Sequence, residues 1–167
     1  ALAYDALFVG NSYTFYGSPD LPTAFGELLE AQGGFGPVRS EGAVKAAWRL
    51  DQHLADSKVA GNPIHTLLGD GAEAAGNTSW DIVVLQEQSQ IPGFPPGQPQ
   101  YEASQQAAQE LNTLIASRGA MTVFLMTWGR RDGDSQNPQL FGTYQAHQDK
   151  LADGYRAMRA ATATAER

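Results

Sequence analysis

Apolar residues follow two rhythms along this chain. Three stretches, Ala6-Leu7-Phe8-Val9, Ile82-Val83-Val84-Leu85 and Met121 to Trp128, are apolar on nearly consecutive positions and rich in β-prone side chains. Such runs predict strands buried on both faces, as in a parallel sheet covered by helices. A shorter stretch, Val38-Arg39-Ser40-Glu41, ends at Gly42 and predicts a fourth strand. Between them the apolar positions take helical spacing. Phe25, Leu28 and Leu29 follow a capping Asp20 and a first-turn Pro22, and Gly33-Gly34 stops that helix. Trp48, Leu50 and Leu54 mark a helix over 46–55, and a short helical turn is expected around 64–68. Ala107, Ala108, Leu111, Leu114 and Ile115 mark a long helix over 101–118 closed by Gly119, and Leu151, Tyr155 and Met158 mark a last one over 144–163. The proline-rich stretch 91–99 predicts an irregular loop over the surface. Strands alternating with helices imply an α/β fold, a three-layer α/β/α sandwich on a flavodoxin-like parallel sheet of order 2-1-3-4.

Composition narrows the functions. At 167 residues the chain is long enough for one domain and too short for two of ordinary size. Its 11 Lys plus Arg against 18 Asp plus Glu give a net charge of -7, which argues against an electrostatic grip on nucleic acid or anionic lipid. With no cysteine, disulfides, thiolate metal sites and a cysteine nucleophile are excluded, and the redox compartment stays open. No apolar run approaches a membrane span, and the first residues lack the layout of a signal peptide. The chain starts almost inside its first strand, which suggests a processed N-terminus; an extracytoplasmic setting, periplasmic or secreted, is the favoured expectation.

The candidate chemistry sits where the first apolar run stops. Gly10 and Asn11 suit a tight turn, and Ser12 follows at once, at the carboxyl end of a strand where α/β folds collect ligands. Gly-Asn-Ser is also ordinary turn chemistry. The balance shifts because Gly42 and the run Gln86-Glu87-Gln88-Ser89 fall at the ends of the two strands expected beside the first. Acyl transfer needs a nucleophile, a base and donors aimed at the developing oxyanion. Ser12 supplies the nucleophile, and the N–H groups of Ser12 and Gly42 with the side-chain amide of Gln88 supply donors.

These segments carry a resemblance. Leu7-Phe8-Val9-Gly10-Asn11-Ser12-Tyr13-Thr14 resembles the first block of the SGNH or GDSL-like serine hydrolases, with Gly-Asn-Ser where Gly-Asp-Ser is usual. Trp80-Asp81-Ile82-Val83-Val84-Leu85-Gln86-Glu87-Gln88-Ser89 resembles the third block, with glutamine in place of asparagine at position 88. Gly42 matches the second block, and the strand exit Thr127-Trp128-Gly129-Arg130 is similar to that of a subgroup. The resemblance implies an esterase, lipase or carbohydrate deacetylase without a metal, whose base comes from an Asp-x-x-His block after a fifth strand. That block and strand are absent, so the domain reads as truncated at its C-terminal end, with the strand and histidine expected on a further segment or a second chain. His53, His65 and His147 each read as surface or helix-packing residues. The expected substrate is a small ester or an acylated carbohydrate. The alternative is a non-catalytic binding or structural module on the same fold, assembled with another chain. A nucleotide binder is disfavoured because no glycine-rich phosphate cradle follows the first strand.

Asn11, Tyr13, Glu87, Trp128 and Arg130 are the candidates for substrate contact. Each has a plainer reading. Glu87 suits a solvated or helix-capping carboxylate, Trp128, Tyr13 and Phe15 suit core or rim aromatics, and Arg130 and Arg131 suit ion pairs with Asp132 and Asp134. Asp132 to Asn137 resembles the opening of a calcium loop but lacks its closing glutamate, which favours a polar turn. Asn77-Thr78-Ser79 matches a glycosylation sequon too short to carry weight.

Overall fold

The computed structural model of the chain describes residues 2–77 and 79–163. Its strands are β1 (Leu2–Gly10), β2 (Phe35–Val44), β3 (Ile82–Leu85) and β4 (Met121–Phe124). All pair in parallel, in the order β2-β1-β3-β4 expected from the alternation of strand and helix. The register sets Val9 beside Ala43 and Leu85, and Leu85 beside Phe124, so the strands leave the sheet level with one another along one rim.

The helices are α1 (Ser12–Phe15), α2 (Leu21–Gln32), α3 (Leu50–Asp56), α4 (Pro63–Leu67), α5 (Pro99–Ser117), α6 (Pro138–Phe141) and α7 (Tyr144–Ala163). Side chains alternate across a strand, and here the alternation divides the core in two. Leu7, Val9, Val83 and Leu85 face Leu50, Ile64, Leu111, Ile115, Tyr155 and Met158 from α3, α4, α5 and α7. Ala6, Phe8, Ile82 and Val84 form the opposite cluster with Leu21 and Phe25 of α2. Each fully buried aliphatic side chain contributes roughly 1.5–3 kcal/mol, so the more populated first face dominates the stability.

Local signals act as the chemistry dictates. Asp20 Oδ1 accepts from Thr23 N–H at 3.0 Å and caps α2, and Gly33, at φ 69°, ends it. Several boundaries depart from the sequence expectation. β2 runs from Phe35 to Val44, longer than 38–41; as an edge strand it carries polar residues such as Arg39, which pairs with Asp5 at 3.0 Å and lies over the Trp80 ring. The helix expected over 46–55 begins only at Leu50, because Lys45 to Trp48 form a turn closed by Trp48 N–H to the Lys45 carbonyl, with Ala47 at φ 59°. The proline-rich loop is not superficial at its start. Ile91–Gly93 forms a buried 3₁₀ turn against α7, so close that a Cβ at Gly154 would overlap the Pro92 carbonyl. The sequon's Thr78 and the last tail residues, 164–167, lie outside the described residues; Asn77 itself accepts from Arg39 and donates to the Thr66 carbonyl. No helix among the described residues is long and apolar enough to cross a membrane.

Candidate active site

β1 ends at Gly10, and the chain turns straight into the four-residue helix α1, beginning at Ser12. Nearly every donor of this turn is engaged. Asn11 N–H donates to Gln86 Oε1 at 3.0 Å, Tyr13 N–H to Asn11 Oδ1 at 3.2 Å, and Thr14 N–H to the Asn11 carbonyl at 2.9 Å. The Asn11 amide donates to the Trp48 carbonyl at 2.9 Å, and Thr14 Oγ1 donates to Gln86 Oε1 at 2.8 Å. The Gly10 carbonyl accepts from Lys45 N–H and lies 2.8 Å from His53 Nε2. Ser12 is the exception. Its carbonyl accepts from Tyr16, while its N–H and its hydroxyl hydrogen-bond to none of the described residues.

Beneath the turn lies a buried polar layer supplied by the β3 exit. Gln86 is 1% exposed, and its amide N–H donates to the Glu87 carbonyl. A Cβ at Gly10 would overlap Thr14 Oγ1 and come within 2.7 Å of Gln86 Oε1, so the glycine is what lets this layer close on the strand. Glu87 is wholly buried. Its carboxylate accepts from Leu50 N–H at 3.1 Å, Gln88 N–H at 2.6 Å and the Ser104 hydroxyl at 2.6 Å, and its own N–H donates to the Tyr155 hydroxyl at 3.2 Å. Burial pushes its pKa up to about 7 against these stabilising hydrogen bonds. The Glu87 carboxylate thus sits on the first N–H of α3, where a helix-capping carboxylate belongs, and is closed off from the surface.

Above the turn the surface opens. Ser12, Tyr13, Tyr16 and Trp128 line a hollow of about 320 Å³. The Tyr13 and Trp128 rings meet at 4.8 Å between centroids, which brings the β4 exit next to the β1 exit. Trp128 also borders a second hollow with Gly129, Arg130, Arg131 and Tyr144.

The other expected site residues are placed differently. Gly42 lies inside the β2 ladder opposite Phe8, two positions short of the strand's end, so it is not an exit donor. The left-handed residue at that exit is Ala47, whose N–H has no acceptor among the described residues; glycine is favoured at such angles without being required. The Gln88 amide folds into its own loop, accepting from Gln90 N–H at 2.8 Å and donating to Gln90 Oε1 at 3.2 Å, so it does not point at Ser12. Asn11 is 2% exposed and fully engaged in the turn, which removes it from substrate contact. Arg130 is held by Asp134, and Arg131 by Asp132 at 2.7 Å, as their ion-pair reading anticipated. Asp134 is the hub of a polar turn, accepting from Gln90, Gln136 and Asn137 as well.

The three histidines serve packing. His53 is buried at the Gly10 carbonyl, and burial lowers its pKa. His147 is stacked on Phe141 at 4.3 Å, and its Nδ1 accepts from Arg130 N–H, which requires a neutral ring. The His65 ring lies so close to Gly71 that a Cβ there would overlap it. Among the described residues no group of three or more His, Asp or Glu is gathered to hold a metal ion. Gln86 and Ala47 were missed in the sequence. Gln86 directly continues an apolar strand, and that continuity is the signal that its amide turns inward.

No family model matches this chain, and no curated protein matches it. Solved structures do. A protein from Slackia heliotrinireducens named as an SGNH hydrolase superposes with a TM-score of 0.71 at 25% identity, covering 96% of this chain and 76% of that one. A catalytic serine-to-alanine mutant of Axe2, an acetylxylan esterase from Geobacillus stearothermophilus, gives 0.58 at 11% identity, covering 98% and 73%. TesA gives 0.56 at 18% identity, covering 93% and 73%. With the parallel sheet in the order β2-β1-β3-β4 and helices on both of its faces, these similarities show that the chain has the SGNH/GDSL-like hydrolase fold.

Proposed function

We propose that this chain is an ester hydrolase domain in which Ser12 is the nucleophile. The observation that carries the reading is the unspent Ser12 N–H and hydroxyl, in a turn whose other donors are engaged, opening on a hollow beside Trp128. Ser12 Oγ attacks the acyl carbon as a base takes its proton, the ester C–O bond breaks and the alcohol leaves with that proton. Water, deprotonated by the same base, then attacks the acyl-serine, and the acid leaves as Oγ regains a proton. The Ser12 N–H donates to the oxyanion, joined by the Ala47 N–H from the β2 exit, in place of the donors first expected at Gly42 and Gln88. The proton acceptor is a histidine outside residues 1–167, on a further segment or a second chain, because His53 is buried at the Gly10 carbonyl, His147 against Phe141, and the His65 ring packs against Gly71. The substrate is a small ester or an acylated carbohydrate. The acetylxylan esterase among the structural neighbours supports an acetyl group on a sugar.

Hydrolysis of 4-nitrophenyl acetate by the complete polypeptide, with any chain that copurifies, tests this. Turnover abolished by Ser12→Ala supports the reading. Turnover unaffected by Ser12→Ala, or none in a complete assembly, supports a binding module instead.

A further inference from the structure

Eight large apolar side chains of the described residues stand exposed; Met121 and Met126 share a hollow along β4, and three others gather near Ser12. Tyr16 (83% exposed) and Trp128 (56%) line the Ser12 hollow, and Trp128 continues with Tyr144 (45%) into the second hollow, of about 530 Å³. The Tyr13 ring, packed against Trp128, links them. The outcome is a run of aromatic rings that passes Ser12 and extends beyond it on the β4 side.

Trp128 is exposed without being loose. Its neighbours Thr127 and Gly129 are both buried. Gly129 N–H donates to Gln148 Oε1 at 2.9 Å and Arg130 N–H to His147 Nδ1 at 3.2 Å, which fastens the β4 exit to the first turn of α7. A Cβ at Gly129 would stand 2.9 Å from the Tyr144 carbonyl and 3.0 Å from Gln148 N, so the exit and the start of α7 touch at backbone distance. Trp128 and Tyr144 are thus carried by two segments locked together. The Tyr16, Trp128 and Tyr144 side chains are exposed, and the indole and phenol groups engaged in hydrogen bonds among the described residues are those of Trp48, Trp80 and Tyr155 instead. Arg131, beside them, has a 91% exposed side chain paired with that of Asp132, itself 76% exposed.

Rigid rings with an apolar face and a polar edge fit a ligand of the same character, an apolar ring face edged with hydroxyls. A fatty acyl chain would leave the polar tips unused, and a strongly anionic ligand would meet one arginine already paired. We propose that the Trp128–Tyr144 hollow is a saccharide subsite, which makes the substrate an acylated neutral oligosaccharide whose ester-bearing unit lies at Ser12 and whose next sugar stacks on Trp128. This deepens the ester-hydrolase reading and rests on it for the position of the scissile ester.

The test is a binding measurement that does not need turnover. Intrinsic tryptophan fluorescence is titrated with xylotetraose, cellotetraose, mannotetraose and chitotetraose and with the corresponding single sugars. Within residues 1–167 the other tryptophans are Trp80, 3% exposed, and Trp48, under Lys45; a fluorescence response lost in Trp128→Phe while calorimetric binding remains assigns the signal to Trp128. The expected result is saturable binding of at least one tetrasaccharide, at least about tenfold tighter than its single sugar, weakened about tenfold or more by Tyr144→Ala. Trp128→Phe, which keeps an aromatic face, retains binding by calorimetry where Trp128→Ala loses it. The proposal is overturned if none of the four tetrasaccharides binds, or if binding survives Trp128→Ala with Tyr144→Ala in a protein of unchanged circular dichroism. Absent saccharide binding with Ser12-dependent ester hydrolysis intact removes the subsite alone. Ring-dependent binding without Ser12-dependent hydrolysis removes the ester reading and leaves the subsite.

Discussion

The two sides of Ser12 are built on opposite rules. Below it, Gln86, Thr14, Asn11 and Glu87 are buried, and their polar atoms are matched by donors and acceptors from the strand exits and α3. Above it, Tyr16, Trp128 and Tyr144 are exposed. The contrast teaches that the turn's position is set from beneath, by a network that tolerates no unpaired member, while the open side is free to be chosen for a ligand. Substitutions on the lower side should therefore disturb folding first, and substitutions on the upper side should leave folding almost untouched.

Ser12→Ala gives the sharpest departure from that division. It stands between the sides, so it should lower ester turnover by about three powers of ten or more while shifting the thermal midpoint hardly at all. Next comes Gln86→Leu, which strands the Asn11 N–H and the Thr14 hydroxyl in a dry layer. Two orphaned buried groups at about 1–3 kcal/mol each predict a loss of roughly 2–6 kcal/mol, read by denaturant unfolding. Gly10→Ala should act in the same way by forcing its methyl group into Thr14 and Gln86. A loss below about 0.5 kcal/mol for either variant would break the comparison.

The lower side also carries a pH signature. Glu87 titrates near 7 when folded and near its ordinary 4.5 when unfolded, so between these values the folded state binds the extra proton. Its contribution is complete below about pH 4.5 and lost as the pH rises to 7 and above, at most roughly 3 kcal/mol. The difference in stability between wild type and Glu87→Gln, followed from pH 4.5 to 8, isolates this group from the other titrating residues. Wild type should weaken relative to the variant as the pH rises; a flat difference would contradict the burial argument. Smallest of all, Trp128→Ala and Tyr144→Ala should each change unfolding stability by less than about 1 kcal/mol, since over 40% of each side chain already faces solvent.

Much of this was legible in the sequence, for identifiable reasons. Ala6 to Val9 and Ile82 to Leu85 are buried on both faces, and only strands inside a covered sheet show that continuous pattern. The place of Ser12 at the strand exit was legible because glycine and asparagine mark the turn there. Its supports were harder to read. Gln86, Glu87 and Gln88 are three consecutive polar residues, and composition does not tell that the first two turn inward while the third closes its own loop. Glu87 belongs to the face of Val83 and Leu85, the one covered by α3, α5 and α7, and strand alternation is what carries it there. Gly42 was misplaced because β2 is an edge strand with a half-polar face, which blurs its end, and because an alanine at φ 59° leaves no sign in a sequence. The burial of Ile91–Gly93 was hidden for a related reason: it depends on Gly154, more than sixty residues away, leaving room for the Pro92 carbonyl.

One measurement bears most directly on the role of Ser12. The complete polypeptide, with any chain that copurifies, is treated with a fluorophosphonate, digested, and the adduct located by mass spectrometry. A single adduct on the peptide containing Ser12, absent in Ser12→Ala, is the expected result; an adduct on a different serine, or none while a generic serine hydrolase in the same tube is fully labelled, would contradict it.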